Sequence, residues 1–192
     1  MMELKDKRRP STLFFPKPVA LVTAAAGGRD NVMTAAWVNV ACMDPPMLCV
    51  SVRSSRFTHG LIQQSGQFVV NMPGEELLEA VELCGNVSGR DGDKFQLAGL
   101  TRQKALKVEA PLVAECPLNI ECVVCHSPEL GSHTLFIGEV MVVWLDDRHT
   151  DEAGHPLVER MRPFVLNYRE YWGMGERLGT FGSGAPPFRV IP

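Results

Sequence analysis

The 192-residue sequence lacks the features of a membrane or exported protein. No apolar run approaches the roughly 20 residues that span a bilayer. The N-terminus, MMELKDKRRPSTLFF, has charged residues but no apolar segment typical of a signal peptide. The 19 basic and 22 acidic residues give a formal charge of −3, which is too small to predict a nucleic acid or an anionic membrane as partner. We therefore expect a cytoplasmic protein with neither partner.

The common signatures of nucleotide and metal sites are also missing. The chain has neither a Walker P-loop nor a G-x-G-x-x-G turn, so any bound nucleotide is not held in the Rossmann manner. The six cysteines suggest no disulfide framework. The C-x-x-C-H motif from Cys122 to His126 falls in a strand-like run, where residues three apart point to opposite faces. One haem or zinc ion could not easily reach both sulfurs, and we predict no metal site.

Short strand-like segments dominate the rest of the chain. They are predicted at 18–26, 32–41, 47–53, 67–71, 117–126 and 133–145, with brief helices at 58–64 and from Pro73 to Gly85. This pattern favours a mainly β fold, a β-barrel or sandwich with peripheral α-helices. Residues 1–17 are predicted to be an N-terminal arm and residues 18–192 one domain. His126 and His133 could face each other across the last hairpin loop, although two separately satisfied imidazoles are commoner.

One stretch has the composition of an anion site. In SVRSSRFT, residues 51–58, a strand leads through Arg53 and Arg56 into the start of a helix, which Thr58 is predicted to cap. Free backbone N–H groups at a helix start bind anions, and a phosphate would suit them. Simple capping beside solvated arginines is an equally good interpretation. The Gly-rich loop from Ser88 to Lys94 could add further N–H groups and two cations.

In order and spacing, several segments resemble the flavin reductase-like, FMN-binding split-barrel family, to which flavoredoxins and flavoprotein ferric reductases belong. They include PVALVT (18–23), NVMTAAW (31–37), DPPMLCVS (44–51), FVVNMP (68–73) and HTLFIGEV (133–140). The resemblance covers residues 18 to about 175. It implies that the isoalloxazine ring lies against residues 33–37, where Thr34, Ala35 and Ala36 let the backbone approach. A small-residue strand against a tightly packed neighbour is the alternative explanation.

The resemblance also implies which residues bind FMN. Residues at the start of the first helix would take the phosphate, and Asn71 would lie near the ribityl chain. His133 would orient a ligand; no residue is identified as an acid or base. The cofactor-binding residues implied in this way are Met33, Thr34, Ala35, Ala36, Trp37, Ser51, Val52, Arg53, Ser54, Arg56, Thr58, Asn71, Ser88, Arg90, Lys94 and His133. Tyr168, Tyr171 and Trp172 would cover the ring.

The function implied is an FMN-dependent flavin or ferric reductase, an oxidoreductase that takes electrons from NADH or NADPH. A homodimer with FMN at its interface is expected. The alternative is an FMN electron carrier of the flavoredoxin kind, without a nicotinamide site. A split barrel that has lost flavin would carry bulky side chains where Ala35 and Ala36 stand. Arg29, Arg90 or Arg102 could receive the 2′-phosphate of NADPH.

Overall fold

The computed structural model describes residues 6–179. Twelve strands occur in this part of the chain: β1 (Lys17–Pro18), β2 (Ala20–Ala26), β3 (Arg29–Ala35), β4 (Val38–Met43), β5 (Pro46–Arg53), β6 (Gln67–Met72), β7 (Arg102–Gln103), β8 (Leu112–Val113), β9 (Leu118–His126), β10 (His133–Leu145), β11 (Phe164–Asn167) and β12 (Glu170–Gly173). The four α-helices there are α1 (Phe57–Ser65), α2 (Leu78–Asn86), α3 (Lys94–Leu97) and α4 (Val158–Met161).

Seven antiparallel strands form the main sheet, in the order β3-β2-β6-β9-β10-β5-β4. Strands β3 and β4 therefore lie at opposite edges of the sheet, yet only Ala36 and Trp37 separate them in the chain. The three Cα–Cα steps from Ala35 to Val38 span at most about 11 Å, so the sheet must curl until its edges meet. The Ser51 backbone N–H donates to the Trp37 carbonyl at 2.9 Å, close to this junction. The fold is thus mainly β, a split barrel with peripheral helices, as predicted.

The barrel interior and one outer face form the main hydrophobic clusters. Strand β2, ALVTAAA, is buried along its whole length because both of its faces are covered. Its residues Ala20 and Val22 pack inside the barrel with Phe68 and Phe136. Leu21 points the other way, into a second cluster with α2, α3 and β11. This second cluster fixes α2 against the outside of the sheet.

Several predicted boundaries were wrong, each for a local reason. The single strand expected over 32–41 is two strands, because the chain crosses the split of the barrel at Ala36 and Trp37. Pro73 does not open a helix: a 3₁₀ turn at Glu75–Leu77 precedes α2, which continues through Gly85 to Asn86. His126 lies opposite Ile137, and His133 lies opposite Arg53, so the two histidines do not face each other.

The N-terminal segment is tied to the end of the chain. Lys17 and Pro18, in β1, pair with Leu166 and Val165 of β11. The boundary predicted between residues 17 and 18 therefore falls within a strand. The outer parts of the two predicted units, residues 1–5 and 180–192, lie outside the described residues. None of the helices between residues 6 and 179 is long and apolar enough to cross a membrane.

Candidate functional site

A cavity of about 270 Å³ opens beside β3, between the start of α1 and the end of α2. Strand β3 supplies its floor and the loop after α2 supplies one wall. Four cationic side chains line it: Arg53, Arg56, Arg90 and Lys94. None of the acidic residues in the described part of the chain is among its lining residues. This charge balance suits an anionic ligand.

The first turn of α1 points its backbone N–H groups toward this region without a side-chain cap. The N-cap residue is Arg56, in extended conformation, and no side chain bonds to the helix start. The predicted capping role of Thr58 was wrong. Thr58 is buried inside the helix, and its hydroxyl oxygen accepts a hydrogen bond from Asn31 Nδ2 at 2.7 Å. That bond joins α1 to β3. It leaves the Phe57 and Thr58 N–H groups available to an anion, whereas the His59 N–H donates to the Arg56 carbonyl at 3.1 Å.

Lys94 holds the loop that closes the cavity. Its ammonium group donates to the carbonyls of Cys84 at 2.8 Å and Val87 at 3.1 Å, although the residue is only 4 % exposed. Burial lowers the pKa of Lys94 from 10.5 to about 8. This value includes two smaller effects: Cys84 raises the pKa and the charge of Arg56 lowers it. The buried ammonium group has carbonyl partners but no acidic side chain beside it among the described residues of the cavity lining, and this favours the binding of an anion.

Gly89 allows the same loop to approach β3 and α1. A Cβ atom at this position would lie 2.1 Å from Asn31 Oδ1 and 2.7 Å from Phe57 Cδ1. Arg90 then turns back over the loop, where its Nη1 donates to the Ser55 carbonyl at 3.0 Å and its guanidinium lies 5.6 Å from the centre of the Phe57 ring. Only glycine permits this closure without moving the loop.

The small side chains at the end of β3 are explained in part by packing. The Thr34 hydroxyl donates to the Val81 carbonyl of α2, and Gly85 of the same helix faces the Thr34 side chain. The side chain of Ala35 is buried in the barrel core. The alternative explanation, a small-residue strand against a close neighbour, therefore applies to these two positions. Met33 and Thr34 still line the cavity.

Trp37 and His133 meet at the split of the barrel. Their rings are stacked with centroids 4.7 Å apart, and His133 lies directly across the sheet from Arg53. Burial, followed by the charge of Arg53, lowers the pKa of His133, which favours the neutral imidazole. An apolar groove of about 400 Å³ continues past Trp37, and Ala36 and Ser51 also line it.

The structure brings many of the predicted binding residues to one of these two spaces. The cavity collects Met33, Thr34, Arg53, Arg56, Thr58, Ser88, Arg90 and Lys94. The groove collects Ala36, Trp37 and Ser51. Ser54 is exposed beside the cavity but is not among its lining residues.

Asn71 and Val52 need correction because neither side chain is exposed at all. Asn71 donates to the Leu21 carbonyl, and its oxygen accepts from the Val113 N–H and from Asn119. It is a buried structural polar group whose side chain lines neither the cavity nor the groove. The Val52 side chain packs in the barrel core.

The aromatic residues near the C-terminus also lie elsewhere. Tyr171 and Trp172 line a different cavity, beside Glu75 at the opposite end of α2. Tyr168 lies against Phe15 instead, with ring centroids 6.5 Å apart. None of the three covers either candidate space in this chain.

Cys84 does line the cavity, but it is not poised for redox chemistry. Burial raises its pKa to about 11, so it is a thiol at neutral pH. Sequence reasoning missed Asn31, Phe57 and Gly89, which shape the cavity. The Ser-Gly-Arg triplet at 88–90 was a usable signal for Gly89, whereas nothing local connected Asn31 to Thr58.

The comparisons with known proteins agree with this architecture. Residues 12–171 match the flavin reductase-like domain, so the chain belongs to that family. The flavoredoxin of Desulfovibrio vulgaris (Miyazaki F) is 34 % identical, with a TM-score of 0.88 over 94 % of this chain and 99 % of that one. A flavoredoxin from Methanosarcina acetivorans is 30 % identical, with a TM-score of 0.86 over 94 % and 97 % of the two chains. An uncharacterized protein of Archaeoglobus fulgidus is 42 % identical over 123 residues, 64 % of this chain and 70 % of that protein.

Proposed function

We propose that this chain is an FMN-binding oxidoreductase whose cavity takes the FMN phosphate. The single observation that carries the proposal is the convergence of cationic side chains on the uncapped start of α1. Arg53, Arg56 and the first-turn N–H groups would hold the phosphate, with Lys94 behind it. Ser88 and Arg90 would close the site from the loop.

The isoalloxazine ring would extend from the cavity toward the split of the barrel. Thr34, Ala36 and Trp37 line the two spaces along this path, and their small or planar side chains leave room for a flat ring. His133, held by its stack on Trp37 and by Ser132 at 2.8 Å, would orient the ring's polar edge. Bound FMN would supply the hydride and electron chemistry, and the protein would position it.

NADH or NADPH is the proposed electron donor, with free flavin, ferric iron or a partner protein as acceptor. Of the three arginines that could receive a 2′-phosphate, Arg102 is occupied: it pairs with Asp30 and Asp93, each at 2.8 Å. Arg29 and Arg90 both lie over the Phe57 ring at the cavity mouth. Neither has a carboxylate within 4.0 Å in the described part of the chain, so they are the better candidates.

A homodimer is proposed as well, with the second subunit completing the flavin site. The apolar groove beside Trp37 supports this, because Phe14 is 73 % exposed there and Trp37 is 41 % exposed. Large exposed aromatic side chains next to a groove are typical of interaction surfaces. We also retain residues 18–192 as the proposed flavin-binding domain.

An FMN electron carrier is the second candidate, favoured by the two flavoredoxins among the similar structures. The test is the visible spectrum of the purified, FMN-loaded protein under anaerobic conditions. Rapid bleaching by NADH or NADPH would support a reductase and identify its donor. Bleaching by dithionite alone would support a carrier. Failure to bind added FMN would refute both.

A further inference from the structure

Three sulfur-containing side chains share the outer face of the sheet near the β4–β5 turn. Cys125 Sγ lies 3.9 Å from Met47 Sδ, and Cys42 lies directly across the strand pair from Met47. None of the three belongs to the cavity or the groove described above. We propose that Cys42, Met47 and Cys125 form a binding site for a soft monovalent metal ion, Cu(I).

The register places these side chains on one face. In β5, Val50 and Val52 point into the barrel core. Successive side chains of a strand point to opposite faces, so Met47, an odd number of residues away from both, points outward. Residues directly opposite in an antiparallel pair have their side chains on the same face, with Cβ atoms roughly 4.5–5.5 Å apart. Cys42 is therefore the neighbour of Met47 on that face. Its thiol donates to the Asp44 carbonyl at 3.4 Å, and binding of the metal ion would replace this contact.

A β-bulge brings the third sulfur to the same place. His126 pairs with Ile137 and Val124 pairs with Gly138, which leaves Cys125 as the extra residue of β9. Bulges redirect a side chain out of the regular alternation. Cys125 is exposed as a result, whereas Cys122 is buried in the core. The C-x-x-C spacing is thus incidental, and Cys125 acts with residues of β4 and β5.

The sulfur–sulfur distance fits shared coordination. Two sulfurs bound to one metal ion at about 2.3 Å, with angles between tetrahedral and trigonal, lie roughly 3.8–4.0 Å apart. The observed separation is 3.9 Å. Soft thiolate and thioether ligands are preferred by Cu(I), zinc and iron–sulfur clusters, and of these a three-sulfur set that includes a neutral thioether suits Cu(I).

A harder divalent ion fits this set poorly. Zinc sites are almost always completed by four ligands, and no group of three His, Cys, Asp or Glu side chains between residues 6 and 179 could hold a metal. Binding of Cu(I) to both thiols would release two protons, giving two thiolates and one thioether around the ion. The site lies four residues along β5 from Ser51, about 13 Å from the flavin groove.

The experiment is an anaerobic titration of the full-length protein, with its thiols reduced, against Cu(I) held by bathocuproine disulfonate. We expect the wild-type chain to take one Cu(I) from the chelator. Met47→Leu, which keeps both thiols and the apolar volume, should weaken that binding at least tenfold, and Cys125→Ser should do the same. Met43→Leu, a change of the 89 % exposed neighbouring thioether, is the matched control and should bind as the wild type does.

Two results would overturn the proposal. One is a folded wild-type protein that removes no Cu(I) from the chelator. The other is equal affinity in Met47→Leu and Met43→Leu, which would assign any copper to cysteines alone. Circular dichroism of each variant establishes that it is folded, and X-ray absorption of the loaded protein should show sulfur neighbours only. Because FMN binding is not part of the readout, failure here leaves the proposed function unaffected.

Discussion

Lys94 gives the proposed phosphate site a specific dependence on pH. Without a ligand, burial lowers the pKa of this lysine to about 8 from 10.5. A phosphate in the cavity would stabilise the ammonium form, so the complex would hold its proton to higher pH than the free protein. FMN affinity should therefore be constant below pH 8 and fall as the pH rises above it. Each pKa unit regained is worth about 1.4 kcal/mol, so full recovery from about 8 to 10.5 would be worth about 3.4 kcal/mol, or roughly 300-fold in affinity.

The assay is a fluorescence titration of the protein with FMN between pH 7 and 9.5. The range starts at pH 7 because the phosphate itself titrates near pH 6. Riboflavin, which lacks the phosphate, is the matched ligand control and should show no such slope. Lys94→Met should remove the slope and weaken FMN binding at pH 7 by about 1.5–3 kcal/mol. An FMN affinity that is flat across the range, or an identical slope for riboflavin, would refute the role given to Lys94.

Three further predictions concern Gly89, which shapes the cavity, and the buried polar residues Asn71 and Glu121 of the sheet. Gly89→Ala should weaken FMN binding at least tenfold in the same titration, because its Cβ would overlap Asn31, whereas Gly60→Ala, with nothing within 4 Å, should not. Asn71→Ala should lower the free energy of unfolding in urea by about 2–4 kcal/mol through lost buried hydrogen bonds, with FMN affinity unchanged; a loss of affinity alone would restore its predicted ribityl role. Burial raises the pKa of Glu121, but hydrogen bonds from two backbone N–H groups and an indole outweigh this and lower it. Stability from this carboxylate should thus be present at neutral pH and lost as the pH falls through its lowered pKa, and Glu121→Gln should flatten that acid dependence in urea unfolding.

The architecture was predictable because its signals are local. Alternation and turn residues identified the segments of the seven-stranded sheet, but not the short strands β7, β8, β11 and β12. The sequence from Ser51 to Thr58 predicted the helix start that lines the cavity. The proposed site at Arg53, Arg56 and Lys94 depends on chain segments that each carry their own signature, so the cavity could be assembled in advance from the resemblance.

The errors involve contacts between distant segments. Asn71 could satisfy either a ligand or the buried backbone of Leu21 and Val113, and only the packing of β8 against β6 decides between them. Thr58 resembles an N-cap in sequence, yet Asn31, 27 residues earlier, takes its hydroxyl. The break at Ala36 is equally non-local, since it depends on the meeting of the two sheet edges.

A crystal structure of the protein with FMN tests the central claim most directly. The account predicts the phosphate within hydrogen-bonding distance of the first-turn N–H groups of α1 and of Arg56, with the ring running toward Trp37. A phosphate bound elsewhere, for example beside Tyr171 at the other end of α2, would contradict it.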